Sequence, residues 1–312
     1  MESVITITPN PAIDIFTMVE EIVPIRKLRC TAARRDAGGG GINVARVVRR
    51  LGHEVSAIYP AGGATGDLLR RLVELEGVRS LAIAVSEETR EDFTALEQKQ
   101  GNQYRFVLPG APLSEEKWRA CLNALETMIP LPPFVVGSGS LPPGVPDDFY
   151  ALVTRIAKAR GSKTIIDTSG KPLATALEEG VYLVKPNLRE LQEFADVPLH
   201  DQDAWLSAGR RLIETGSAEV VALTLGEKGA LLVTQDAAYL APAPNVQSVS
   251  AVGAGDSFVG GLVSALAAGR SITEAFRWGL AAGSAAVLNS GTELCHASDV
   301  WRLFEQVKPV RV

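Results

Sequence analysis

Short runs of aliphatic and β-branched residues punctuate the chain: Val4-Ile5-Thr6-Ile7, Phe134-Val135-Val136, Thr164-Ile165-Ile166-Asp167, Val181-Tyr182-Leu183-Val184 and Val220-Val221-Ala222-Leu223-Thr224. Each has the length and composition of a strand buried on both faces. Between the later runs, residues 147–160 and 204–215 carry apolar positions three and four apart, the period of an amphipathic helix. The alternation predicts an α/β fold with a mostly parallel central sheet and helices on both faces. Ligands of such sheets bind beyond the carboxyl ends of the strands. Gly137-Ser138-Gly139-Ser140, Asp167-Thr168-Ser169-Gly170 and Lys185-Pro186-Asn187 fall at such ends.

The first third of the chain is patterned differently. Residues 14–31 and 89–108 alternate apolar and polar positions, as in Gln103-Tyr104-Arg105-Phe106-Val107-Leu108, without a helix between neighbouring runs. This predicts an antiparallel flap, a small β-lid formed approximately by residues 12–33 and 88–108. No repeat, low-complexity tract or long polar linker divides the chain, so residues 1–312 read as one domain.

Composition narrows the partners. The 312 residues are 46% hydrophobic and 21% charged, a globular balance that excludes disorder, coiled coil and collagen. Lys plus Arg number 31 against 36 Asp plus Glu, a net charge of −5, which argues against a nucleic-acid partner. Cys30, Cys121 and Cys295 form no CxxC pair, so neither a disulfide framework nor a structural metal is indicated. No apolar run approaches the ~18 residues of a membrane span and no basic leader precedes the first strand, giving a cytoplasmic reading with no membrane partner. The 29 glycines are clustered, which directs attention to loops where backbone meets ligand.

The strongest local signal is Val252-Gly253-Ala254-Gly255-Asp256-Ser257-Phe258, followed by a helical pattern. Small residues before a helix expose backbone N–H groups at the positive end of its dipole, an arrangement that attracts a phosphate in transfer. Asp256 then stands beside that anion hole, although a bare helix cap is an equally good reading of the run alone. A carboxyl near 3.9 cannot ionise a hydroxyl near 15.7 in advance, because that would cost on the order of 16 kcal/mol. Its work would be to orient the hydroxyl and accept its proton late, while amides and cations hold the phosphate charge.

No Walker-type GxxxxGK[ST] and no GxGxxG after the first strand occurs, so a nucleotide must be held another way. In Lys185-Pro186-Asn187-Leu188-Arg189-Glu190 an amide and a carboxylate three residues apart share one helical face. Such a pair can organise hydrated Mg²⁺; a capped helix start is the plainer reading. Thr224-Leu225-Gly226-Glu227-Lys228-Gly229-Ala230 is either a hairpin or a loop whose amides meet nucleotide phosphate. Gly38-Gly39-Gly40-Gly41 has little packing value and a high ordering cost, which favours a polar ligand lying against backbone over a plain turn. Asp14 follows the first strand and suits sugar hydroxyls or a turn. Lys27, Arg90 and Arg105 on the flap would suit a substrate phosphate if they converge, and are otherwise solvated charges.

Taken together these residues resemble the PfkB, or ribokinase-like, family of carbohydrate kinases. The resemblance runs through Thr8-Pro9-Asn10-Pro11-Ala12-Ile13-Asp14, the Gly38-Gly39-Gly40-Gly41-Ile42-Asn43-Val44-Ala45-Arg46 segment, Gly139-Ser140-Leu141-Pro142-Pro143-Gly144, the Lys185-to-Glu190 motif and Val252-Gly253-Ala254-Gly255-Asp256. Within the family the chain is most similar to the type 2 bacterial 6-phosphofructokinases, through Lys27-Leu28-Arg29-Cys30, Pro60-Ala61-Gly62-Gly63-Ala64-Thr65-Gly66 and Gln103-Tyr104-Arg105-Phe106-Val107. The resemblance implies a ribokinase-like fold and ATP-dependent phosphorylation of fructose-6-phosphate at its 1-hydroxyl, a step of glycolysis. Tagatose-6-phosphate or fructose-1-phosphate as acceptor, or a non-catalytic sugar-phosphate sensor, are the alternatives.

It further implies Asp256 as the base, with Gly253, Ala254 and Gly255 as the anion hole. Lys185, Asn187, Thr224, Gly226, Gly229 and Ser284 would hold ATP, and Asn187 and Glu190 would influence Mg²⁺. Asp14, Gly39, Gly40, Gly41 and Asn43 would face the sugar, and Lys27, Arg90, Arg105 and Ser140 its phosphate. Ser250, Val252, Ala286, Asn289 and Gly291 would form a potassium loop, and paired lids a homodimer. Two departures stand out. The family's Thr-Arg-x-Asn lid motif reads Thr89-Arg90-Glu91-Asp92, which loses an amide donor and adds negative charge, and Gly40 stands where 1-phosphofructokinases and tagatose-6-phosphate kinases tend to carry Lys.

Overall fold

The computed structural model describes residues 3–195 and 198–312. Its main sheet has ten strands in the order β14 (Val310–Arg311), β13 (Ala238–Ala241), β12 (Ala230–Thr234), β11 (Ala218–Thr224), β10 (Val181–Val184), β9 (Lys163–Asp167), β8 (Phe134–Ser138), β1 (Val4–Ile7), β4 (Val55–Gly62) and β5 (Arg79–Val85). From β11 across to β5 every pairing is parallel. From β11 to β14 the pairings are antiparallel, so the sheet is mostly parallel with an antiparallel edge.

Successive strand residues face opposite layers, which is why the strands read as continuous apolar runs. Val4, Ile165, Leu183 and Val220 enter one core with helices α1 (Gly40–Arg50), α2 (Gly63–Leu75), α8 (Ala254–Ala267), α9 (Ile272–Ala286) and α10 (Ala297–Phe304). Ile5, Ile166, Val184 and Val221 enter the other, against α3 (Glu115–Glu126), α4 (Phe149–Ala159), α5 (Gly170–Glu179), α6 (Leu188–Ala195) and α7 (Gln202–Glu214). Full burial of each such side chain stabilises the fold by about 1.5–3 kcal/mol. The α9 helix starts on a capping box in which Ser271 and Glu274 satisfy each other's backbone.

The strand order reverses beside β1, where successive connections turn outward to β4 on one side and to β8 on the other. A crevice opens at such a switch point. Over it lies a second sheet, ordered β3 (Arg34–Gly38), β2 (Ala12–Val19), β6 (Arg90–Glu97) and β7 (Gln103–Phe106). This second sheet falls on the segments where a lid is expected, with two differences from the expected form. Its outermost strand, β3, lies beyond residue 33, and residues 20–33 contribute only the isolated pairing of Cys30 with Val19. The flap is also not wholly antiparallel, since β2 and β6 run parallel from Ala12↔Arg90 to Val19↔Glu97. Both strands leave the same end of the parallel main sheet, β2 after β1 and β6 after β5, so they rise in the same direction.

The pleat sorts the lid residues. Asp36, Asp14 and Asp92 are register partners and face the crevice, with Thr94 and Arg105 paired on the same side. Phe93 and Phe106 are paired on the outer face, and their rings lie 6.3 Å apart. Among the described residues no helix is long and apolar enough to cross a membrane, and all three cysteines are free.

Candidate active site

Two cavities meet at the amino end of α8. The smaller, about 250 Å³, lies between lid and main sheet; the larger, about 810 Å³, lies between the β11–β12 connection, α8 and α9. Asp256, in the first turn of α8, lines the smaller one. Ala254 and Gly255 line the larger.

The chain turns into α8 through Gly253, whose φ of 74° is left-handed. An L side chain there would be strained and its Cβ would also lie 2.5 Å from Leu294 Cδ2. The Ala254 N–H is taken by Ala251 O at 3.3 Å, and Ser257 N–H by Gly253 O at 2.8 Å. The first-turn amides of Gly255 and Asp256 remain at the positive end of the dipole, the arrangement that suits an anion.

Asp256 Oδ2 accepts a hydrogen bond from Asn43 Nδ2 at 2.9 Å. Burial raises this carboxyl to about 6, Asp167 adds to the rise, and Asn43, Lys185 and Arg105 oppose it. A carboxyl near 6 is ionised at neutral pH and would be better matched to accepting a proton than an ordinary Asp. Lys185 is buried and pairs with Asp167 Oδ1 at 3.0 Å. Although burial works against its charge, Asp167, Glu190 and Asp256 hold its pKa above the ordinary lysine value. Its ammonium would lie 3.5 Å from a Cβ on Gly255, beside the first turn of α8. Asp167 received no role from the sequence, because its meaning depends on the lysine that the neighbouring strand delivers.

Asp14, Gly39, Gly40, Asn43, Arg90, Arg105 and Ser140 all line the smaller cavity. Asp14 lies within β2 rather than in a turn and is 6% exposed, and its carboxyl makes no hydrogen bond among the described residues. Two expected members stand apart. Lys27 is exposed on the segment between β2 and β3 and does not line the cavity. Gly41 is buried under β1, where a Cβ would overlap Thr8 Oγ1 and lie 2.9 Å from Ile7 O.

The glycine run therefore has packing value after all. Gly38 makes room for the Asp14 carboxyl, Gly39 turns the chain at φ 102°, Gly40 meets Ser138, and Gly41 brings α1 onto β1. The acid at position 92 is also accommodated. Asp92 Oδ1 accepts from Arg90 Nη1 at 3.1 Å and from the Leu108 N–H at 3.0 Å.

Asn187, Thr224, Gly226, Gly229 and Ser284 line the larger cavity, whose walls include Phe258, Leu280, Val246 and Val287. Volume, apolar walls and adjacent amides fit a nucleotide with its base in the apolar part. Asn187 and Glu190 form a reciprocal cap: Asn187 N–H donates to Glu190 Oε2 at 2.8 Å, and Glu190 N–H to Asn187 Oδ1 at 2.9 Å. Glu190 also faces the smaller cavity, so the pair stands at the junction. Among the described residues no cluster of three His, Cys, Asp or Glu could hold a metal ion. Few carboxylates beside a phosphate site is the donor set that suits a hydrated Mg²⁺ arriving with a nucleotide.

The segments carrying Ser250, Val252, Ala286, Asn289 and Gly291 are drawn together where Val287 O accepts the N–H groups of Val249 at 2.7 Å and Ser250 at 3.3 Å. Ser250 Oγ donates to Gln103 Oε1 at 3.1 Å, and Phe16 covers Gly291, so the loop touches the lid at two points. Its oxygens, from carbonyls and hydroxyls, are hard donors suited to an alkali cation.

The profile of the pfkB family carbohydrate kinases matches residues 7–299. The chain is 44% identical over 302 residues to ATP-dependent 6-phosphofructokinase isozyme 2 of Mycobacterium tuberculosis, covering 97% of this chain and 89% of that one. Crystal structures of phosphofructokinase-2 from Escherichia coli superpose closely: the complex with fructose-6-phosphate has a TM-score of 0.92 at 38% identity, and the complex with potassium 0.92 at 39%. Each covers 98% of this chain and 99% of the other. The chain belongs to the pfkB family of carbohydrate kinases.

Proposed function

We propose that the protein is an ATP-dependent 6-phosphofructokinase, converting fructose-6-phosphate and MgATP to fructose-1,6-bisphosphate and ADP. The observation that carries this reading is the placement of Asp256 where the two cavities meet, in the first turn of α8 and fixed by Asn43. Similarity to 6-phosphofructokinases over nearly the whole chain supports the choice of acceptor.

The sugar lies under the lid with its hydroxyls toward Asp14 and Asn43 and its phosphate toward Arg105 and Arg90. Its 1-hydroxyl oxygen attacks the γ-phosphorus; the new O–P bond forms as the bond to the β-phosphate oxygen breaks, and Asp256 takes the hydroxyl proton. The Gly255 and Asp256 amides, backed by Lys185, hold the charge of the phosphoryl group in flight. Asn187 and Glu190, where the two cavities meet, would hold a hydrated Mg²⁺ arriving with ATP, which would supply charge neutralisation for the phosphates. Potassium in the loop of residues 250–252 and 286–291 would fix the approach to the anion hole. The lid excludes water, so transfer outcompetes hydrolysis.

Two lids packed by their outer faces give a homodimer, an arrangement supported by the exposed Phe106, Tyr104 and Phe93. ATP-dependent glycolytic work in the cytoplasm fits the same reading. The decisive experiment measures ADP release from MgATP in potassium buffer against fructose-6-phosphate, tagatose-6-phosphate, fructose-1-phosphate and fructose. Highest kcat/KM on fructose-6-phosphate is expected; another preferred acceptor would move the substrate, and absence of turnover on all four would leave a sensor.

A further inference from the structure

Asp36, Asp14 and Asp92 stand side by side on three adjacent strands, on the crevice face of the lid. The two outer carboxylates are engaged. Asp36 Oδ2 accepts from Arg34 Nε at 2.9 Å and Thr292 Oγ1 at 3.0 Å, with Arg46 Nη2 3.9 Å from Oδ1. Asp92 Oδ1 takes Arg90 and the Leu108 amide. Among the described residues the central carboxyl, Asp14, has no such partner, and it lines the smaller cavity.

We propose that Asp92 is a positioning residue of the acceptor site: acting across the strand register on Asp14, it makes the grip on sugar hydroxyls depend on pH. The proposal rests on the sugar-phosphate reading of that cavity. A carboxylate accepts hydroxyl hydrogen bonds more strongly than a neutral carboxyl, so the sugar is held best when Asp14 is ionised. Charges face Asp14 from every element around it: Asp92 and Arg90 on β6, Asp36 and Arg34 on β3, Arg105 on β7 and Arg46 on α1. Asp256, Asp167 and Glu190 line the same cavity. Burial pushes Asp14 up to about 7; Arg105 and Arg46 oppose the rise, and Asp92 and Asp36 add to it. An asparagine at position 92 would keep an oxygen for Arg90 and Leu108 while removing the charge.

The test compares the native chain with Asp92→Asn between pH 5.5 and 8.5. The KM for fructose-6-phosphate is measured at saturating MgATP and potassium, and the Asp14 carboxyl is titrated by ¹³C NMR in the ligand-free protein. The KM of the native chain should fall as pH rises through about 7. In Asp92→Asn that fall should come at lower pH, so KM at pH 6 is about three- to tenfold below the native value and the two profiles converge above pH 8. The change in kcat should be smaller than that in KM. The substrate phosphate also titrates near pH 6 but is common to both proteins, so it cancels in the comparison.

The Asp14 midpoint should move to lower pH in the same variant. Parallel KM profiles at every pH, or an unmoved Asp14 midpoint, would overturn the proposal and leave Asp92 as a simple anchor for Arg90. Without turnover on fructose-6-phosphate the functional reading fails, and the NMR titration still decides the coupling. Should Asp92→Asn not fold, Asp36→Asn, which removes the other flanking charge, is expected to shift Asp14 in the same direction, and no shift there would count equally against it.

Discussion

Asn43 donates to Asp256 Oδ2 at 2.9 Å while its own Oδ1 accepts from Arg46 Nη1 at 3.3 Å. Arg46 is in turn held by Ala37 O at 2.7 Å and Thr292 O at 3.2 Å. The orientation of Asp256, the proposed base, is therefore set from strand β3 and the 289–293 loop, through a buried arginine. Asn43 occupies one carboxylate oxygen, and in the proposed reaction the other would meet the acceptor hydroxyl.

The hydrogen bond also keeps Asp256 more acidic than burial alone would. Because the proposed base must be ionised, kcat of the native protein should fall as pH drops through about 6. In Asn43→Ala this acid limb should move to higher pH, with turnover at pH 7.5 reduced on the order of 10²-fold. Asp256→Asn should lower turnover by roughly 10²–10⁴-fold and retain sugar-phosphate binding by calorimetry. An acid limb that stays in place in Asn43→Ala would detach it from Asp256.

Asp14 links function to stability. Its carboxyl titrates at 3.8 ordinarily and at about 7 in the fold, so the folded chain binds this proton more tightly than the unfolded one. The associated stability is complete at low pH and is lost as pH rises through 7, where a buried carboxylate opposes the fold. Asp14→Asn should raise the melting temperature at pH 8 by a few degrees, with a smaller change at pH 5, and should weaken sugar binding strongly. Equal shifts at both pH values in a thermal scan would contradict the buried-charge account.

Gly41→Ala separates packing from ligand contact in the glycine run. The added methyl would collide with Thr8 and with the Ile7 carbonyl, backbone that cannot give way easily. A loss of about 1–3 kcal/mol is expected, measured by denaturant unfolding. KM for the sugar in the surviving folded enzyme should change little, since Gly41 lies outside the cavity.

What the sequence made legible follows from where each residue's partners lie. The β1, β8, β9 and β10 strands are covered on both faces, so their apolar runs stand out regardless of neighbours. The Gly253–Asp256 turn and the Asn187–Glu190 cap are also local, and their spacing survives into the structure. The lid was legible as alternation but not as topology. Its central pairing joins β2 to β6, strands separated in sequence by β3, α1, β4, α2 and β5, and nothing in either run announces a parallel partner. Asp167 and the Asp36–Asp14–Asp92 row were hidden for the same reason: each acid is ordinary until the register supplies its neighbours.

The outer lid face gives a further expectation. Phe106 is 56% exposed and pairs with Phe93, which leaves an aromatic surface on a small sheet whose other face is committed to the crevice. Phe106→Glu should shift sedimentation toward the monomer at micromolar concentration and raise the KM for the sugar phosphate, because an unsupported lid closes less well. A native chain that already sediments as a monomer would remove the lid-to-lid dimer.

Arg34 carries the last expectation. From β3 it reaches Glu293 Oε2 at 2.8 Å and Ser290 O at 2.5 Å, while its Nε holds Asp36. The lid is thereby stapled to the loop that supplies Asn289 and Gly291, the proposed potassium donors. If the lid opens, these contacts would be strained or broken, and a potassium ion ordering the loop would favour the stapled arrangement. Arg34→Ala should therefore raise the potassium concentration for half-maximal activity several-fold and lower sugar affinity, with smaller effects on KM for ATP. The measurement is a potassium titration at fixed ionic strength with sodium or choline as the replacement ion. An unchanged potassium midpoint with weakened sugar binding would show that the staple positions the lid alone.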